Sequence, residues 1–87
     1  KKNRSYIELR TDDDRRAAFL LETELGLADF RVVEPGVIRV FERLDDTAVI
    51  NETLSKNGLR ISGIALMNET LEDYFLSLTG GAFEIGR

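Results

Sequence analysis

A chain of 87 residues has room for one domain and one core, and folding hides about 60–65% of the surface the unfolded chain exposes. Its 43% hydrophobic and 32% charged residues are a globular balance, and the lack of cysteine and histidine excludes disulfides, thiolate metal sites and imidazole chemistry. The net charge of −4, with 12 cations scattered among 16 acids, argues against nucleic acid and anionic membrane surfaces as partners.

Residues 1–5 read as a linker remnant, and with no initiator Met the expectation is a piece of a longer protein. From Tyr6 to Arg10 the chain alternates: Ile7 and Leu9 point one way, Tyr6, Glu8 and Arg10 the other. That is a half-buried strand. Thr11 and the run Asp12-Asp13-Asp14 then cap and charge the start of a helix, where acids complement the dipole. Ala17, Ala18, Leu21 and Leu25 share one face of that helix, and Gly26 is a natural stop. Phe19 falls off this stripe, and two readings stay open. Either the helical phase is shifted and Phe19 is core, or Phe19 is an exposed aromatic anchor for a neighbouring domain.

Phe30 to Glu34 and Val37 to Glu42 are two further strands. Pro35 and Gly36 between them suit a type II turn, so the pair is a hairpin. Asp45 or Asp46 caps a second helix, with Val49, Ile50 and Leu54 on one side and Asn57-Gly58 at its end. Ile61 to Met67 is a fourth strand, apolar enough to suggest a central place in the sheet. Thr70 with Asp73 opens a third helix. Its apolar face is Leu71, Tyr74, Phe75 and Leu78, which either completes the core or meets a partner. Gly80-Gly81 closes it and residues 81–87 form a tail.

The order predicts one α+β domain over residues 6–80. It is a ferredoxin-like βαββαβ sandwich with a four-stranded antiparallel sheet and a C-terminal third helix. Two helices would cover one sheet face. The other would carry Tyr6, Val33, Val37 and Phe41, too apolar for open water, so the third helix or a partner should cover it.

Catalytic and metal motifs are missing. The aspartate run lacks the alternate spacing and glycine of a calcium loop. No Gly-x-x-x-x-Gly-Lys-Ser/Thr loop exists, and Gly80-Gly81 follows a helix, so it presents carbonyls to an anion. Three carboxylates between the first strand and helix would repel the phosphate of an acyl-phosphate hydrolase. No apolar run approaches the ~20 residues that span a bilayer. The chain itself is expected to be no enzyme and to hold no cofactor or metal.

The run Thr70-Leu71-Glu72-Asp73-Tyr74-Phe75-Leu76, followed by Leu78-Thr79-Gly80-Gly81, resembles a known ending, as does the upstream Ser55-Lys56-Asn57-Gly58-Leu59-Arg60-Ile61. ATP-binding subunits of bacterial ABC transporters, particularly the bacitracin and lantibiotic resistance branch, close with such a helix after an accessory segment of this size. The resemblance covers the last third of the chain in detail and the rest in element order. Such subunits carry a Walker A loop, a Walker B acid, a signature motif and a switch histidine, none of which stands here. No ATP-site residue carries over.

The resemblance implies a non-catalytic C-terminal regulatory or interaction domain. Its parent would bind ATP and Mg and couple hydrolysis to export of a peptide antibiotic or similar compound. The implied partners are its own nucleotide-binding domain, a second ATPase subunit or the membrane subunit. The implied place is the cytoplasmic face of the membrane, without insertion. Phe19, Leu71, Tyr74, Phe75 and Leu78 are the candidate contact residues. A second reading is a ferredoxin-like regulatory module that binds a small ligand.

Overall fold

The computed structural model describes residues 4–69. The elements are β1 (Arg4–Thr11), α1 (Asp14–Thr23), β2 (Phe30–Glu34), β3 (Val37–Val40), α2 (Thr47–Lys56) and β4 (Ile61–Glu69). The strands form one four-stranded sheet in the order β2-β3-β1-β4, with every neighbouring pair antiparallel. The fold is α+β, as expected. The third helix, with Leu71, Tyr74, Phe75 and Leu78, and the tail lie outside the described residues.

The alternation in β1 sorts the sheet into two faces. Ile7 and Leu9 pair with Val40 and Ile38 of β3 and are fully buried. They join Ala17, Leu20 and Leu21 of α1 and Ile50 and Leu54 of α2 in one core. Both helices therefore cover the Ile7–Leu9 face, and each such leucine or isoleucine contributes about 1.5–3 kcal/mol by leaving water. Tyr6, Glu8, Arg10, Val37 and Arg39 alternate onto the opposite face.

Three expectations change. First, β4 is an edge strand, and β1 is central with β3 and β4 as its two partners. Apolar content misled because β4 buries only its helix-side Ile61 and Ile64 partway, while Leu66 and Met67 stay exposed. Second, the inward stripe of α1 is Ala17, Leu20 and Leu21, at i, i+3 and i+4. The helix ends at Thr23, so Leu25 lies beyond its last turn and is only partly buried. Third, α2 buries Ile50 and Leu54 but leaves Val49 exposed, because those two alone stand one turn apart toward the sheet.

The hairpin turn fixes the sheet to the start of α1. Gly36 has φ 80°, which glycine adopts without strain. A methyl group there would sit 2.8 Å from the Thr11 carbonyl oxygen. The Gly36 amide donates to Asp14 Oδ2 at 2.7 Å, and its carbonyl accepts from the Thr11 amide at 2.9 Å.

Candidate interaction surface

The carboxylates of the aspartate run all accept backbone amides. Asp13 is the N-cap of α1, accepting from the Arg16 amide at 3.1 Å. Asp14 holds Gly36, and Asp12 Oδ1 accepts from the Arg60 amide at 3.3 Å. The helix-start reading of the run is thus met by geometry. The run also joins three separate chain segments, which its sequence pattern did not foretell.

Phe19 is exposed, with 61% of its surface in water. The phase of α1 does differ from the sequence reading, but toward Leu20, which leaves Phe19 outside. Charged neighbours one turn away surround it: Arg15, Arg16 and Glu22 are all exposed. Arg16 reaches across to the end of α2, donating through Nη2 to the Asn57 carbonyl at 2.7 Å. Phe19 is thus an exposed aromatic with a charged rim among the described residues, held on a helix braced at that point.

The sheet face opposite the helices carries a ladder of rings and guanidinium groups. The Arg39 guanidinium carbon lies 4.6 Å from the Tyr6 ring centre, and that of Arg31 lies 5.5 Å from the Phe41 ring centre. The two rings are 5.8 Å apart and tilted by 54°. Cation–π contacts of this kind contribute about 0.5–2 kcal/mol each, more as water is excluded. On the same face Glu8 and Arg10 pair at 3.0 Å within β1. Sequence reasoning placed Tyr6, Val37 and Phe41 here but missed Arg31 and Arg39. The alternation Arg39-Val40-Phe41 beside Tyr6 was the available signal. Val33, assigned to the same face, is exposed.

One carboxylate is electrostatically distinct. Glu42 Oε2 accepts the Asp29 amide at 2.5 Å and the Ala28 amide at 2.6 Å. These two bonds, Asp29 first, hold its carboxyl below the ordinary value of 4.5, helped by Arg43 and opposed by slight desolvation. The role is structural: Glu42 ties the loop after α1 to the end of the hairpin. Among the described residues, no helix is long and apolar enough to cross a membrane.

The chain is 35% identical over 81 residues to the bacitracin transport ATP-binding protein BcrA of Bacillus licheniformis. It is 40% identical over 81 residues to the BcrA protein of Enterococcus faecalis. Its relatives are ABC transporter ATP-binding proteins. A third, YcbN of Bacillus subtilis (strain 168), is an uncharacterized ABC transporter ATP-binding protein and is 38% identical over 79 residues. These alignments cover 93%, 93% and 91% of the chain but only 26% of each relative. No protein-family model and no solved structure matches the chain. The likeness to the ABC proteins therefore extends through β1, both helices and the hairpin, well beyond the final third in which the sequence resemblance was seen.

Proposed function

We propose that this chain is the C-terminal accessory domain of an ABC transporter ATP-binding protein whose parent couples ATP hydrolysis to export of bacitracin or a similar peptide antibiotic. The observation that carries it is the coverage. Nearly all of the chain aligns at 35–40% identity, yet it accounts for only 26% of each ABC relative. The chain also lacks a phosphate-binding glycine loop and histidine, so nucleotide chemistry would fall to the remainder of the parent.

In this role the domain contributes contact surface. Phe19 is the outward anchor on α1, and an exposed aromatic with a charged rim has the form of an interface hot spot once a partner buries it. Its partner is the nucleotide-binding domain of the parent, the second ATPase subunit or the membrane subunit. Isothermal titration of the 87-residue chain with ATP should show no heat of binding, and micromolar affinity would overturn the assignment. In the parent subunit, Phe19→Ser should lower antibiotic resistance while leaving ATP binding intact. Unchanged resistance would remove Phe19 from the contact.

A further inference from the structure

We infer that the β4 edge pairs with a second copy of this chain, antiparallel about a twofold axis at Ala65, so that two four-stranded sheets join into one. Among the described residues β4 has a neighbour on one side alone, β1, and so carries an open row of backbone donors and acceptors. The two edges of the sheet differ in how that row is guarded. β2 is five residues long, holds Arg31 and Glu34, shifts register between Val32 and Glu34, and is followed by Pro35. Charge, bulge and proline each discourage the addition of a strand. β4 runs for nine residues, and from Ile61 to Asn68 it has neither a charged side chain nor a proline. Its register shift lies at its start, beside Arg10 and Thr11, and from Gly63 onward it pairs with β1 without a break. Leu66 and Met67 keep 57% and 39% of their surface in water. A long, regular, uncharged edge with exposed apolar side chains is a template for another strand.

A second copy suits this edge because the segment complements itself. A twofold axis normal to the sheet sets one residue opposite its own copy and keeps both helix-bearing faces on one side. With Ala65 on the axis, Ile64 falls opposite Leu66 and Gly63 opposite Met67, each twice. Ile64 and Leu66 share the helix side, since their β1 partners are Leu9 and Ile7. Ile64 already packs against the core there, so the exposed Leu66 of the other copy extends that core across the junction. Gly63, Ala65 and Met67 share the opposite side. There the longest side chain meets the residue that has none, and alanine meets alanine, so no bulk collides. Nor does any charge stand opposite a like charge in this stretch. Moving the axis by one residue loses the match. An axis at Ile64 sets Ser62 against Leu66, and an axis at Leu66 sets Ile64 against Asn68.

Sedimentation equilibrium of the 87-residue chain should show a reversible monomer–dimer equilibrium. Leu66→Lys should raise the dimer dissociation constant by about tenfold or more, because the dimer carries the change twice and each lysine faces an apolar residue. Leu9 and Ile38 methyl resonances should keep their shifts in that variant, since Leu66 is exposed in the single chain. Val32→Lys, on the guarded β2 edge, should leave the constant unchanged. The chain holds no cysteine, so one introduced cysteine carries one spin label. A nitroxide on Ala65→Cys should show dipolar broadening that dilution with unlabelled chain removes, and one on Val32→Cys should show none. A chain that stays monomeric at every concentration overturns the pairing. So does an equal response to the two lysines, or a dimer without broadening at Ala65.

Discussion

The two faces of the sheet are built on different principles. On the helix side Ile7, Leu9, Ile38 and Val40 are fully buried and make no use of charge. On the other side each buried residue stands beside a charged one: Tyr6 under Arg39, Val37 opposite Arg10. An all-aliphatic face gains its stability from area and close packing, whereas the ladder face adds oriented cation–π and ring contacts. The difference teaches that the two faces of one four-stranded sheet can be stabilised by different kinds of contact.

Substitutions can break this comparison. The largest effect is expected for Ile38→Ala, which opens a cavity in the helix-side core and should cost about 2–5 kcal/mol in urea unfolding. Gly36→Ala comes next. It forces a side chain to φ 80° and against Thr11, and about 1–3 kcal/mol should be lost. Tyr6→Leu keeps apolar bulk and removes the ring, so about 1–2 kcal/mol should be lost with the core methyl resonances unmoved. Equal losses with shifts at Leu9 and Ile38 would show that the two faces are one cooperative core.

Glu42→Gln should have a smaller effect, visible only in its dependence on pH. The folded carboxyl titrates below 4.5, because the Asp29 and Ala28 amides bind its charged form. Its stabilisation is therefore fully present above that pH and is lost as pH falls through the folded value. Thermal melts of the variant should be less stable than the parent chain near neutrality and converge with it in acid. Phe19→Ser should shift chain stability by no more than about 0.5 kcal/mol, since the side chain is mostly exposed and stands outside the helix-side core.

Much of this molecule was legible beforehand where the determinants are local. The order of elements, the Pro35–Gly36 hairpin and the acidic start of α1 follow from alternation, a required positive φ and an N-cap, all set within a few residues. Phe19 was legible only as an alternative, because its exposure depends on a rotation of α1 by a fraction of a turn. That rotation is fixed by packing Leu20 against the sheet. The guanidinium ladder escaped notice because its partners stand on different strands and meet only through register.

By itself, then, the sequence determined which of the described segments are helix and strand, that no imidazole or thiolate chemistry is available, and which family of endings it resembles. Tertiary structure alone decided that β4 lies at the edge and β1 at the centre, and that Phe19 faces outward. The reason is distance along the chain. Ser5 Oγ donates to Asn68 Oδ1 at 2.7 Å across a separation of 63 residues, and no local periodicity encodes such a pairing. Strand order emerges only when the whole chain chooses which apolar faces to bury together.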